Sequence, residues 1–355
     1  MEVVEPRVVG RYEVWDELAR GGMATVHVGR LVAARGFSRV VAIKCLREDR
    51  LGTGFYAEAF EDEARLGARL RHPNLVSALD IVFDEGRSLL VMEYVEGVSL
   101  ADLRERGPVP AAVAARIVID ALRGLHAAHE ARDAAGRSLG VVHRDVSPEN
   151  VLVGVDGLAR IVDFGVAKAT GREQRTATGV VKGKALYMAP EQATGLPVSR
   201  TSDVWAAGAV LVSAIAPSPP TSSADFDALL LELPEPIARV ARTAIERDQR
   251  RRFMTGAEMA DALEQAAPAA AAADVARLVE ERCGDELERR AAIVRRVEAA
   301  PSRAATAVVG SAAAPKAEPP PPKGDPAERG RSRRPLVIGL GVAAAVLAVG
   351  VVARS

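Results

Sequence analysis

Residues 143–152 read His-Arg-Asp-Val-Ser-Pro-Glu-Asn-Val-Leu, and residues 163–165, after a hairpin-like stretch, read Asp-Phe-Gly. The two segments place three oxygen-bearing side chains, Asp145, Asn150 and Asp163, at short intervals. Carboxylate and amide oxygens can hold a divalent metal over phosphate groups, and a further carboxylate can align an attacking hydroxyl. This pair of motifs therefore predicts phosphoryl-transfer chemistry.

Two segments nearer the N-terminus could contact phosphate. Residues 41–44 read Val-Ala-Ile-Lys, so Lys44 ends a short apolar strand and could project into a cleft beside phosphate oxygens. Residues 18–26 read Leu-Ala-Arg-Gly-Gly-Met-Ala-Thr-Val, a turn of small residues whose backbone N–H groups could approach a phosphate chain. Taken alone, this second segment is equally well explained as a plain hairpin turn.

Three further features follow in order, namely Met-Ala-Pro-Glu at 188–191, Asp-Val-Trp-Ala-Ala-Gly at 203–208 and Arg252. Together with the earlier segments they resemble the protein kinase family over about 255 residues, 11–265. The resemblance identifies residues 188–191 as the close of an activation segment and residues 203–208 as the start of a buried helix. It also implies that Arg252 pairs with the glutamate of the activation segment.

The stretches Gly-Gly-Met-Ala, His-Pro-Asn-Leu-Val and Tyr-Met-Ala-Pro-Glu-Gln are similar to those of bacterial serine/threonine kinases with membrane anchors. The fold that this resemblance implies is α+β and two-lobed. It has a small β-rich N-lobe over about 11–95 and a larger α-helical C-lobe over about 96–265. The implied activity is transfer of the γ-phosphate of ATP to Ser/Thr hydroxyls of protein substrates, with autophosphorylation of the activation segment.

The resemblance gives five residues a chemical role. Lys44 would contact the α- and β-phosphates, with Glu63 as its ion-pair partner. Asp145 would accept or orient the proton of the substrate hydroxyl. Asn150 and Asp163 would hold Mg²⁺ or Mn²⁺, which bridges the phosphates and neutralises developing charge.

The same resemblance implies a nucleotide pocket between the lobes. Adenine would lie between Val26 and Ala42 on one side and Leu152 on the other, with Met92 at the back. Backbone groups of Glu93 and Val95 would hydrogen-bond the adenine ring. The other implied nucleotide-contacting residues are Leu18, Gly21, Gly22 and Met23.

Several positions depart from the family pattern. Ala19 and Ala24 stand where glycines are expected and only Gly21 remains, so we expect weaker nucleotide affinity because alanine disfavours positive φ. Ser147 stands where a lysine is usual, and Lys184 stands near a usual threonine. One hypothesis is that Lys184 supplies the missing cation.

Arg144, three threonines and residues 214–233 bear on regulation and substrate choice. Arg144, beside Asp145, suggests a basic cluster that awaits a phosphorylated residue of the activation segment. Thr176 and Thr178 are the candidates, with Thr170 less favoured, and ordinary solvated threonines remain the alternative. Residues 214–233 are short and irregular where kinases carry a substrate-docking region.

Composition excludes several function classes. The chain has 47 basic and 47 acidic residues, so no overall field draws it to nucleic acid. Cys45 and Cys283 lie far apart, which suits a reducing cytosol and matches no disulfide framework or metal site. Glu2, Glu5 and Pro6 interrupt any signal-peptide core near the N-terminus.

The C-terminal third predicts a membrane anchor. Residues 274–298 are amphipathic and predict a helical extension, a helix pair broken at Gly284. Residues 299–335 have the Pro/Ala/Arg composition of a disordered linker. Residues 336–353 carry no charge and are long enough for one transmembrane helix, with a buried helix or apolar tail as the alternative. Arginines before this stretch predict a cytoplasmic kinase domain at the cell (inner) membrane.

Two other functions compete with a membrane-anchored kinase. A pseudokinase scaffold would bind partners with little phosphotransfer, and a small-molecule phosphotransferase could share a related fold. A homodimer through the kinase domain or the transmembrane helix is also a hypothesis. The span contains small residues that permit close helix contact, Gly339, Gly341, Ala345 and Gly350.

Overall fold

A computed structural model of the chain describes residues 5–21, 24–33, 37–47, 54–84, 87–164, 185–266 and 268–302. Residues 1–312 form one unit and residues 313–355 a second one, and the second unit lies wholly outside the described residues. Within the described ranges, no helix has the length and apolar character needed to cross a membrane. The predicted span at 336–353 lies outside these ranges.

Six antiparallel strands form the sheet of the N-lobe, in the order β1-β2-β3-β4-β6-β5. Helix α1 packs on this sheet against β5 and β6. The strands and helix are β1 (Arg7–Val9), β2 (Tyr12–Arg20), β3 (Ala24–Val32), β4 (Ser38–Leu46), α1 (Gly54–Gly67), β5 (Ala78–Asp84) and β6 (Arg87–Glu93).

The alternation of side chains along β4 decides what each face of the sheet contacts. Val41 and Ile43 point into an apolar cluster with residues of β1, β2 and β6. Ala42 and Leu46 join a different cluster that includes Phe60 of α1. Successive strand residues point to opposite faces, so Lys44 lies on the face that carries α1.

In its described residues, the C-lobe consists of helices, loops and one small sheet, β7-β8-β9. The strands are β7 (Gly97–Ser99), β8 (Val151–Gly154) and β9 (Ala159–Ile161). The α-helices are α2 (Leu100–Glu105), α3 (Ala111–His129), α4 (Pro190–Ala193), α5 (Arg200–Ile215), α6 (Phe226–Leu229), α7 (Glu235–Ala244), α8 (Gly256–Ala266) and α9 (Ala272–Ala299). Short 3-10 helices cover Pro148–Asn150, Ala185–Tyr187, Ser223–Asp225, Leu230–Glu232 and Gln249–Arg251.

Helix α5 forms the centre of the C-lobe core. Every residue from Thr201 to Ala214 is buried, and the helix contacts α3, α7 and α8. A helix that is apolar on all sides is stable only when surrounded by other elements. The two-lobed α+β arrangement implied by the sequence is therefore the one observed.

Helix α9 belongs to both lobes. Val275, Val279 and Cys283 are fully buried in the core of the C-lobe, whereas Val297 is buried against Trp15 of β2 in the N-lobe. The helix is interrupted at Cys283, where φ is −122° and ψ is 18°. This interruption lies one residue before Gly284, where the sequence predicted a break.

A buried ion pair attaches α4 to the base of the C-lobe. The Arg252 guanidinium binds both oxygens of Glu191, at 2.7 and 2.9 Å. It also donates to the carbonyl of Thr201 and lies over the ring of Trp205, 4.8 Å from the ring centroid. The pairing expected between Arg252 and the glutamate of residues 188–191 is thus present.

Arg252→Ala should destabilise the C-lobe strongly. Removing one partner of a buried pair leaves an uncompensated charge at Glu191, which typically costs about 3–5 kcal/mol. The matched control is Arg251→Ala, because the Arg251 side chain is 72% exposed and its loss should change stability by less than about 0.5 kcal/mol. Urea unfolding would measure both variants, and equal midpoints would contradict the prediction.

Candidate active site

Lys44 lies between two carboxylates from different parts of the fold. Its Nζ is 2.8 Å from Oε1 of Glu63 in α1 and 3.0 Å from Oδ1 of Asp163, just after β9. The ring of Phe60 covers the ammonium, with its centroid 5.9 Å from Nζ. The ion pair predicted between Lys44 and Glu63 is present, and it brings the sheet, the helix and the C-lobe together at one point.

Burial and charge act in opposite directions on this group of three. Burial alone would lower the pKa of Lys44, but the charges of Asp163 and Glu63 raise it by more, so the ammonium stays protonated. Burial raises the pKa of Glu63 above its ordinary value, and Lys44 opposes that shift. A fixed, buried cation at the point where the two lobes meet is suited to binding phosphate oxygens.

Asp203, in the first turn of α5, holds the loop that contains Asp145. Its carboxylate accepts hydrogen bonds from the backbone N–H of His143 at 2.7 Å and of Arg144 at 2.8 Å. His129 of α3 contacts the same carboxylate, with Nε2 2.8 Å from Oδ2. Burial alone would raise the pKa of Asp203, but these hydrogen bonds and nearby histidines lower it by more.

The sequence interpretation missed the roles of Asp203 and His129. It assigned Asp203 only to the start of a buried helix and did not predict its contact with His129. One signal was available, because Asp203 is an acidic residue followed directly by eleven residues that are all apolar or small. A carboxylate at such a position needs internal hydrogen-bond donors.

His143 is buried and must be neutral to make both of its hydrogen bonds. Its Nε2 donates to the carbonyl of Val162 at 2.9 Å, and its Nδ1 accepts from the backbone N–H of Asp145 at 3.2 Å. The ring also contacts that of Phe164, with centroids 4.8 Å apart. Burial lowers the pKa of His143, which favours this neutral form.

Asn150 and Asp163 lie at the open end of the β8–β9 hairpin. Val151 pairs with Ile161, and one residue further out the N–H of Val162 donates to the carbonyl of Asn150 at 3.1 Å. The Asn150 amide nitrogen donates to the Asp145 carbonyl at 2.7 Å and to its carboxylate at 3.2 Å. The amide oxygen of Asn150 therefore points away from Asp145.

These donors fit a magnesium ion that also binds phosphate. Asn150 offers an amide oxygen and Asp163 a partly exposed carboxylate, and Mg²⁺ commonly takes one or two protein oxygens together with phosphate oxygens and water. No group of three or more His, Cys, Asp or Glu side chains could hold a metal by itself anywhere in the described ranges. Asn150 and Asp163 therefore suit a Mg²⁺ ion whose other ligands are phosphate oxygens and water.

The predicted nucleotide-contacting residues divide between the two lobes. Val26, Ala42 and Met92 share one apolar cluster under the N-lobe sheet, and Leu152 lies in β8 of the C-lobe. Glu93 ends β6 and donates its N–H to the Ser77 carbonyl at 3.0 Å.

The structure does not bring the other residues of the predicted pocket into the Val26 cluster, or does not describe them. Leu18 packs with Trp15 and Val28 instead of the Val26 cluster. Val95 is half-buried just after β6. Gly21 donates its N–H to the Ala24 carbonyl at 2.9 Å, and Gly22 and Met23 lie outside the described residues.

Helix α4, which includes the end of the activation segment, contacts the loop that carries Asp145. Gln192 Nε2 donates to the Arg144 carbonyl at 2.7 Å. Ser147, at the position of the expected lysine, is buried, and its hydroxyl has no hydrogen-bond partner in the described part of the chain. Lys184 and the predicted phosphosites Thr170, Thr176 and Thr178 lie outside that part.

The sequence matches the family model "Protein kinase domain" over residues 12–292. It is 40% identical over 275 residues to the tyrosine-protein kinase MasK of Myxococcus xanthus, a match that covers 72% of this chain and 43% of the relative. It is 36% identical over 225 residues to the serine/threonine-protein kinase PknB of Mycobacterium leprae, covering 61% of this chain and 34% of the relative. The matched part of the chain spans less than half the length of these relatives.

The fold is similar to that of a solved domain. The crystal structure of the Mycobacterium tuberculosis PknI kinase domain superposes with a TM-score of 0.59 at 23% sequence identity, covering 75% of this chain and all of that domain. At this identity the likeness concerns the fold alone.

His143→Gln should reduce the pH dependence of stability. The pKa of His143 is lower in the folded than in the unfolded chain, so its stabilising contribution is complete above the unfolded pKa of about 6.5 and is lost as the pH falls below it. The loss should approach about 1.4 kcal/mol per pH unit, and glutamine, which does not titrate, should remove it. Urea unfolding from pH 8 to pH 5.5 would show parallel curves for the two proteins if the prediction is wrong.

Proposed function

Because this chain belongs to the protein kinase family, we propose that it transfers the γ-phosphate of ATP to hydroxyl groups of proteins. The observation that carries the proposal is the meeting of Lys44 with Glu63 and Asp163, within 3.0 Å. Beside it, Asp203 and Asn150 fix both ends of the loop that carries Asp145. A scaffold that only binds partners has no chemical need for this arrangement.

The proposed roles follow from the contacts of each side chain. Lys44, anchored by Glu63, binds the α- and β-phosphates and limits their movement. Asp145 accepts or orients the proton of the attacking hydroxyl, and its hydrogen bond from Asn150 fixes the carboxylate. Magnesium held by Asn150 and Asp163 would neutralise charge that develops on the phosphates.

For the acceptor we propose serine and threonine. The support is similarity to relatives named as serine/threonine kinases, including PknB of Mycobacterium leprae. Tyrosine is the second candidate, because MasK of Myxococcus xanthus, named as a tyrosine-protein kinase, is 40% identical. Ser147, where serine/threonine kinases usually carry lysine, also leaves that candidate open.

Asp145→Asn should lower autophosphorylation and substrate phosphorylation by about 10²-fold or more, because general-base catalysis contributes about 10²–10⁴-fold. The measurement is incorporation of ³²P from [γ-³²P]ATP, followed by acid hydrolysis and separation of phosphoserine, phosphothreonine and phosphotyrosine. Asp227→Asn is the control, since Asp227 is exposed in α6.

Label on serine and threonine in the wild type and in Asp227→Asn is the expected result. Label on tyrosine alone would replace the proposed acceptor with the second candidate. Equal label in the wild type and Asp145→Asn would mean that the chain itself transfers no phosphate.

We also propose that residues 336–353 anchor the chain in the cell (inner) membrane as a single span, with the kinase domain in the cytoplasm. The support is the uncharged stretch itself and the arginines at 329, 331, 333 and 334 before it. Carbonate extraction of membranes should leave the full chain in the pellet and release a version that ends at residue 335. Crosslinking of both versions would test whether a homodimer forms through the span or the kinase domain.

A further inference from the structure

Arg30 and Glu13 form a buried ion pair on the N-lobe sheet that receives the end of helix α9. Arg30 is 3% exposed and Glu13 is fully buried, and Arg30 Nε donates to Glu13 Oε2 at 2.8 Å. Arg30 Nη1 donates to the carbonyls of Val297 and Ala300 at 2.7 and 2.6 Å, and Nη2 to that of Pro301 at 3.3 Å. A helix leaves its last carbonyls without partners and favours positive charge there. The N-lobe therefore has a specific binding site for this helix terminus.

Apolar packing and a second ion pair support the same contact. Val297 is fully buried and packs with Trp15 of β2 and Val28 of β3. Arg296, the preceding residue, forms an ion pair with Asp16 of β2. Both β2 and β3 are thus held by the last turn of α9.

The register of the sheet places this contact beside the nucleotide pocket. Val28 pairs with Ala42, and Val26 pairs with Lys44. Residues that pair across strands share a face of the sheet, as do residues two apart along one strand. The last turn of α9 therefore packs on the face of the sheet that carries Lys44. It contacts β2 and β3, the strands on either side of the predicted phosphate-binding segment.

The first part of α9 is fixed to the C-lobe. Val275, Val279 and Cys283 are buried in its core, and Arg282 donates to the Gly107 and Pro108 carbonyls at 3.1 and 3.0 Å. The first residue of α9, Ala272, packs directly on the backbone of Gly157 in the C-lobe. A Cβ at Gly157, where φ is +76°, would lie 1.9 Å from the Ala272 carbonyl oxygen.

The middle of α9 contacts the segment where the lobes join. Arg290 donates to the Gly97 carbonyl at 2.7 Å, a few residues beyond the end of β6. Arg106 of the C-lobe binds both carboxylate oxygens of Asp285 at 2.7 and 2.8 Å. Helix α9 is thus a second link between the two lobes, in addition to the segment of chain that connects them.

We propose that helix α9 is a strap that holds the two lobes in the closed arrangement needed to bind ATP. Docking of its last turn on the Arg30–Glu13 pair keeps β2 and β3 over the nucleotide. When the last turn undocks, the N-lobe loses this restraint and nucleotide affinity falls. The proposal rests on the proposed function for the identity of the nucleotide.

Val297→Asp tests the strap in the full chain, because a carboxylate cannot replace valine in this buried apolar contact without a hydrogen-bond donor. If undocking leaves the competent arrangement populated about a tenth of the time, the Kd for a non-hydrolysable ATP analogue with Mg²⁺ should rise about tenfold. The KM for ATP should rise similarly and kcat should change less than about twofold. Ala292→Asp, at an exposed position of the same helix, should leave all three values unchanged.

Hydrogen exchange separates the strap from a general effect on folding. Amides of β2 and β3 should exchange faster in Val297→Asp, whereas those of α5 should not. Arg296→Ala is a milder variant that should weaken nucleotide binding in the same direction, and Arg296→Lys, which keeps the charge beside Asp16, should restore it.

The outcomes distinguish this proposal from the proposed function. Faster exchange in β2 and β3 with unchanged Kd and KM would overturn the strap, since the helix would then only stabilise the N-lobe. Faster exchange throughout, or a fall in kcat alone, would overturn it as well. Weaker nucleotide binding in a chain that transfers no phosphate would support the strap and reject the proposed function, and a wild type that binds no nucleotide would reject both.

Discussion

The buried carboxylate of Asp203 fixes the loop on which the candidate site depends. It binds two successive backbone N–H groups, those of His143 and Arg144, and Arg144 has a φ of 64°. A left-handed conformation at a residue with a side chain costs about 1–2 kcal/mol, and it persists because α5 positions the acceptor within the most buried part of the core. Asp145 follows Arg144 directly and Asn150 lies in the same stretch of chain, so the geometry of both residues depends on this contact.

The second constraint is the position of one lobe relative to the other. Lys44 bridges them through Glu63 and Asp163, and α9 bridges them over a longer distance through cores in both lobes. A cleft between two bodies that are joined at several points can bind a ligand with less loss of conformational freedom.

Two buried ion pairs, Arg252–Glu191 and Arg30–Glu13, have comparable structural positions. Each attaches a segment that is distant in sequence, α4 in one case and the end of α9 in the other. A buried ion pair adds little net stability compared with apolar packing, yet it penalises any arrangement that separates the partners. We infer that these pairs select one docking geometry, while the apolar clusters around Trp205 and Trp15 supply most of the free energy.

The sequence by itself determined the two lobes and the residues whose motifs are local. Asp145, Asn150 and Asp163 occur within short segments with a distinctive order, and Lys44 follows from its strand. Glu63 was implied only by the family resemblance, and the structure places it beside Lys44. The tertiary structure alone decided the roles of Asp203, His129 and Arg30, and the packing of Leu18 against Trp15. The reason is separation along the chain: Arg30 and Val297 are 267 residues apart, and no local pattern distinguishes an arginine that will be buried by a distant helix from one that faces water.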